Sequence, residues 1–269
     1  MLIPRPMSVS CAPQLTLMAL AGVPRVREGD DVAALVTKAL AASELTLRDG
    51  DVLVVTSKVF SRAAGRFVDV SRVEPSARAI ELGQQIGKDP RVVELILSES
   101  TAISRTAKNV IIVRHKLGFV SANAGIDLSN AQPADAREGQ GPWALLIPLD
   151  PDADAERLRA SLLREHNAQI GVVVSDSHGR PFRFGTVGAA IGVAGLPALY
   201  NQVGLPDLDG RVLESTVTAL ADQVAAAADL VAGQADEGRP FVLVRGLTFE
   251  PRASSAGELL RPIDQDLYA

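Results

Sequence analysis

Short β-branched apolar runs alternate along the chain with stretches of helical period. V-L-V-V-T (52–56) follows the turn-like R-D-G-D (48–51) and is bounded by polar residues, which predicts a buried strand. Q-I-G-V-V-V-S-D (169–176) predicts a second core strand, and further strands are expected at 109–114, 118–122, 143–148 and 240–245. Asp30 or Asp31 is placed to cap a helix reaching about Leu45, with Val32, Leu35, Val36 and Leu40 on one face. Pro75 opens an expected helix to about residue 87, and Asp89 with Pro90 caps and opens another to residue 98. Two more helices are expected, from about Ala153 to His166 and from about Leu213 to Ala232, the latter ending on Gly233 as its C′ residue. The glycine-spaced segment 185–195 is expected to serve close packing or tight turns. Element types alternate irregularly, which predicts an α+β fold of mixed sheets and helices without a clear doubly wound signature.

Pro4, Pro6 and Pro13 crowd the start, so residues 1–14 are expected as a flexible lead-in, 15–249 as the folded domain and the polar stretch 250–269 as a tail. A chain of 269 residues, 47% hydrophobic and 22% charged, can bury a sizeable core, and with 4% aromatics that core must be aliphatic. A net charge of −5 with no block of Lys or Arg argues against a nucleic-acid partner, although a local cluster could still take a small anion. The single Cys11 excludes an intramolecular disulfide framework and fits a reducing compartment, with the cytoplasm expected. Arg5 before L-T-L-M-A-L-A (15–21) imitates a targeting signal, but Pro13 and Gln14 interrupt the apolar region. No uncharged apolar run approaches the ~20 residues needed to span a bilayer, so no membrane partner is expected.

Two polar segments carry the candidate chemistry. N-A-G-I-D-L-S-N (123–130) gathers Asn123, Asp127, Ser129 and Asn130 around Gly125, a set of oxygen ligands suited to a hard cation and equally to an ordinary turn. S-D-S-H-G-R (175–180) begins where the predicted core strand ends; Asp176 and Ser177 offer a carboxylate and a hydroxyl, and Arg180 and Arg183 offer forked donors. A Ser177–His178–Asp176 triad is excluded, because adjacent residues of an extended segment point to opposite sides. G-Q-Q-I-G-K (83–88) is one residue short of a P-loop, and no dinucleotide fingerprint follows a strand. T-S-K-V-F-S-R (56–62) places Ser57, Lys58, Ser61 and Arg62 after a strand, where hydroxyl and cationic donors suit phosphates.

Together with A-G-V-P (21–24), E-G-D-D (28–31), P-L-D-P-D (148–152) and V-R-G-L (244–247), these strings resemble the coenzyme F420-0:L-glutamate ligase family from about Ala21 to Arg245. The resemblance implies two closely associated subdomains, an interlocked homodimer, and GTP-dependent γ-linked addition of L-glutamate to the deazaflavin precursor F420-0 through an acyl phosphate. It implies two divalent ions, Mg2+ or Mn2+, about 4 Å apart as in other two-metal sites, with K+ a further candidate. By carry-over Asp127 and Asp176 bind the first ion, Ser177 and Gln234 the second, and Ala21, Gly22, Val23, Pro24, Ser57, Arg62 and Asn130 contact nucleotide, with Arg180 assisting transfer. Three positions depart from the family pattern: Ser177 where threonine is frequent, Gln234 where an acid is common and Arg62 where lysine is usual. A metal-dependent phosphatase or nucleotide hydrolase, or a non-catalytic nucleotide-binding module, would use the same aspartates.

Overall fold

A computed structural model describes residues 13–265, so Arg5, Cys11 and most of the expected lead-in lie outside the described residues. In chain order the elements are β1 (Thr16–Ala19), α1 (Val32–Ala42), β2 (Val52–Thr56), α2 (Ser57–Ala63), β3 (Phe67–Asp69), α3 (Ala77–Ile86), α4 (Pro90–Ser98), β4 (Ser100–Ala107) and β5 (Val110–His115). There follow β6 (Val120–Ala122), β7 (Trp143–Leu145), α5 (Pro151–His166), β8 (Gly171–Arg180), β9 (Arg183–Ala194), β10 (Tyr200–Asn201), β11 (Val217–Thr218), α6 (Leu220–Ala232) and β12 (Phe241–Arg245). The fold is mixed α and β with several sheets, as expected.

A five-stranded sheet in the order β1-β12-β2-β8-β9 forms the centre, with β2 and β8 parallel and the other neighbours antiparallel. The continuous apolar runs of β2, β8 and β12 follow from burial on both faces. Leu53, Val55, Val172, Val174 and Leu243 pack with α1 and α5 through Val36, Leu40, Leu158 and Leu162. On the opposite face Val52, Val54, Val173, Val242 and Val244 pack with α6 through Ala221, Val224, Ala225 and Ala228. Each such buried Val or Leu contributes about 1.5–3 kcal/mol by leaving water. A separate three-stranded sheet, β4-β5-β6, has its own core, where Ile111 and Val113 meet Ala79, Val93 and Ile96 of α3 and α4.

Capping explains most helix ends. Asp31 accepts from the N–H groups of Ala33 and Ala34, Asp89 from Arg91 and Asp150 from Ala153. Helix α1 stops at Ala42, short of the expected Leu45, because Glu44 turns to φ 55° and the Glu44 and Leu45 amides close back on Ala41 and Leu40. Helix α6 starts at Leu220 instead of Leu213, because Val217–Thr218 pairs with β10 and the Leu213 amide donates to the Leu205 carbonyl.

Six strands were hidden from pattern reading, β1, β3, β4, β9, β10 and β11, of which β4 and β9 are the long ones. β4 is polar and mostly exposed, so it carries no apolar run. β9 is the glycine-spaced segment itself: a Cβ at Gly188 would lie 2.5 Å from the Ala225 carbonyl of α6, and one at Gly192 would lie 2.4 Å from that of Pro151 in α5. A register shift opposite Val174/Ser175 separates the two glycines and turns them to opposite faces of the sheet, one for each helix. The expected tail is packed as far as Leu259: the Ala256 amide donates to Asp152 Oδ1, the Ala198 amide to Ser254 Oγ, and Ser255 with Glu258 forms a capping box. Among the described residues no helix is long and apolar enough to cross a membrane.

Candidate active site

The parallel pairing of β2 with β8 ends where Thr56 lies opposite Ser175, at the close of both apolar runs. Both strands are buried in the sheet, so residues just past their apolar runs are held on a rigid support. β2 passes directly into α2, which correctly makes 56–62 a donor-bearing segment but in helical form. Strand β8 does not end at Asp176 as expected; it continues to Arg180 in the long hairpin with β9.

Asp176, only 8% exposed, is held by Ser57, whose Oγ donates to its Oδ1 at 3.0 Å; His178 Nε2 lies 3.2 Å from its Oδ2 without forming a hydrogen bond. Asp176 and His178 are two residues apart on one strand and so share a face. His178 in turn leans on Phe119, whose ring stacks at 4.8 Å on the buried His115.

Asp127 is carried by a different segment, the turn that follows β6. Asn123, Ala124 and Gly125 all have positive φ in a 3-10 turn, and Asp127 is then fixed by paired backbone bonds with Leu145. A Cβ at Gly125 would sit 3.0 Å from Ile147 and 3.5 Å from Asp176 Oδ2, so the turn lies directly against the second carboxylate. Burial pushes the Asp127 carboxyl above the ordinary carboxylate range; Lys58, with Nζ 2.8 Å from Oδ2, opposes this, and the charge on Asp176 adds to it. The two aspartates therefore sense each other.

Beside Asp176 opens a cleft of about 540 Å3, a size usual for small-molecule sites, bordered by Val23 to Val26, α2, Asn130, residues 175–177 and the loop 233–240; Asp127 does not line it but pairs with Lys58, which does. Val23, Pro24, Arg62, Asn130, Asp176, Ser177 and Gln234 all line it. Ser177 Oγ donates to Gln234 Oε1 at 2.6 Å, beyond the α6 C-cap at Gly233. Ala21 and Gly22 stand behind the cleft wall, the Ala21 amide donating to Ser43 Oγ. Arg62, 7% exposed, donates to the carbonyls of Val26, Asn130 and Gln132, leaving two of its five N–H groups for a ligand. The structure does not bring Arg180 to the cleft: four residues past Asp176 it is roughly 13 Å along the strand and donates to the Phe184 carbonyl.

Sequence reading missed the roles of two cleft residues. Lys58 was read as a phosphate donor and not as a partner of Asp127, and Asp229 looked like one polar position of an amphipathic helix. Asp229 accepts from the Gly188 amide; burial raises its carboxyl, that bond opposes the rise and Asp176 adds to it.

The donors suit a hard cation by type, since Asp127, Asp176, Ser177 and Gln234 offer only oxygen. Among the described residues no three His, Cys, Asp or Glu converge on a point, as a zinc cage or all-carboxylate site would require. Two carboxylates supplemented by a hydroxyl, an amide and ligand oxygens fit Mg2+ or Mn2+, which commonly keep waters and bind substrate phosphates.

Comparison with known proteins matches residues 22–246 to the F420-0:Gamma-glutamyl ligase family. The Coenzyme F420:L-glutamate ligase of Methanothermobacter thermautotrophicus is 41% identical over 256 residues, covering 94% of this chain and 98% of that protein. Those of Methanopyrus kandleri and Archaeoglobus fulgidus are 42% and 41% identical, each covering 91% of this chain and 93% of the relative. With the match spanning both aspartates and every wall of the cleft, the chain belongs to the F420-0:gamma-glutamyl ligase family.

Proposed function

We propose that this chain is a GTP-dependent ligase that joins L-glutamate to F420-0 in the cytoplasm, using Asp127, Asp176, Ser177 and Gln234 to hold two divalent cations. The observation that carries the reading is the approach of the Asp127 turn to Asp176, with Gly125 against the Asp176 carboxylate, beside a cleft lined by Asp176, Ser177 and Gln234. A carboxylate is a poor electrophile at physiological pH. In the proposed reaction an acceptor carboxylate oxygen attacks the γ-phosphorus, the bond to the β-phosphate oxygen breaks, and GDP leaves. The glutamate amine then attacks the acyl carbon, the carbon–oxygen bond to phosphate breaks, and the ammonium proton passes to solvent. Divalent cations, when bound, would neutralise triphosphate charge during the in-line transfer.

The chain's own groups do the positioning. Ser57 fixes the Asp176 carboxylate, and Arg62 clamps the loops at Val26 and Asn130–Gln132 that border the proposed nucleotide site. Val23, Pro24 and Asn130 supply a partly apolar wall for a base. A homodimer is part of the same reading, supported by exposed apolar side chains that do not line the cleft: Phe184 and Leu208 are fully exposed, and Tyr200, Leu205 and Val212 about half exposed.

The test is GDP release measured with F420-0, L-glutamate, GTP and Mn2+, each omitted in turn, with mass spectrometry of the product. Release should require both acceptor and glutamate and yield a glutamyl amide, and Asp127→Ala and Asp176→Ala should abolish it in folded protein. GDP release indifferent to acceptor and glutamate would make the chain a nucleotide hydrolase instead.

A further inference from the structure

Lys58 makes a contact that the proposed reaction has not used. Its Nζ lies 2.8 Å from Asp127 Oδ2; both side chains are partly exposed, 32% and 26%, and Lys58 lines the cleft. The backbone of Lys58 is fixed in the first turn of α2, directly after the buried strand β2, whereas its four-carbon stem is free to swing. The other cleft cations are engaged differently: Arg25 donates to the Gln132 carbonyl at 2.7 Å and Arg239 to the Val231 carbonyl at 3.4 Å. A divalent ion bound to a carboxylate oxygen sits roughly 2.0–2.6 Å from it. An ammonium on that same oxygen would then face a double positive charge at close range, so the two cations compete for one position.

We propose that Lys58 is a displaceable counter-ion of Asp127, a positioning residue that orients the carboxylate and yields its place to a divalent cation. The inference rests on Asp127 being a cation ligand. Exchange leaves the ammonium facing the cleft, so binding one cation frees another in the same step, and the metal must overcome the ion pair to enter.

Mn2+ binding to the full-length chain without nucleotide, followed by the electron paramagnetic resonance signal of free Mn2+, tests this without reading activity. Lys58→Met should bind Mn2+ about fivefold more tightly than the parent, the scale of one partly exposed ion pair. Lys58→Arg, which keeps the charge, and Arg239→Met, which removes a cleft cation with no bond to Asp127, should each stay within about twofold. In an Asp127→Asn background Lys58→Met should give no gain, because the shared oxygen partner is lost. Intact Mn2+ binding with no tightening in Lys58→Met overturns the counter-ion role alone, as does an equal gain in Arg239→Met. Absence of Mn2+ binding in every protein overturns the metal reading of Asp127, and this inference with it.

Discussion

Arg62 offers the sharpest test of how the cleft is held. Its guanidinium is 7% exposed, donates to three carbonyls from two separate loops at 2.9, 3.0 and 3.2 Å, and lies 5.0 Å from the centre of the Phe67 ring. Truncation to alanine strands those carbonyls and deletes the stacked cation. At roughly 1 kcal/mol per bond, with about 0.5–1 kcal/mol for the ring contact, Arg62→Ala should cost about 4 kcal/mol. For a domain of this size that lowers Tm by roughly 8–16 °C. Arg62→Lys retains the charge but cannot reach three carbonyls at once, so about half the loss should remain. Differential scanning fluorimetry with and without GTP measures both effects, and KM for GTP should rise about tenfold in Arg62→Ala with a smaller change in kcat. A Tm shift below about 3 °C in Arg62→Ala, or Arg62→Lys matching the parent, would refute the clamp.

Three further outcomes are expected. Burial is the main cause that pulls His115 down to about 4 from its ordinary 6.5, so the folded state resists protonation while the unfolded state accepts it. The stability this residue contributes is then intact above pH 6.5 and lost as pH falls from 6.5 toward 4, about 2 kcal/mol by pH 5; urea unfolding of His115→Phe should show a shallower acid slope than the parent. Asp51, 2% exposed and held by Arg245 at 2.7 and 2.8 Å, should lose about 3 kcal/mol on substitution Asp51→Asn in the same assay. Gly192→Ala forces a Cβ to within 2.4 Å of the Pro151 carbonyl, a backbone atom that cannot turn aside, and should cost about 3 kcal/mol by thermal scan.

The strands β2, β8 and β12 were legible because burial on both faces writes a continuous apolar run, and α1, α4 and α5 because Asp31, Asp89, Pro90 and Pro151 sit at their starts. β9 was not, since glycine there answers to helices packed across the sheet, which no local pattern records. In the site, Asp127 and Asp176 stood out as oxygen clusters at the edges of apolar segments. The pairing of Lys58 with Asp127 and the place of Asp229 did not, because a contact across the chain and an aspartate on a helix face leave no local pattern until the fold turns them inward. Arg180 was assigned to phosphate on its nearness in sequence to Asp176, but an extended strand separates neighbours faster than any other backbone form.

β8 carries Asp176 at its buried end and leads at its far end to the hairpin tip, where Phe182 and Phe184 are 91% and 104% exposed. If a second copy covers those rings, association and the rigidity of the carboxylate belong to one strand, and dilution becomes a variable of the active site. Specific activity would then fall with enzyme concentration, and Tm with it, without any change in substrate or metal.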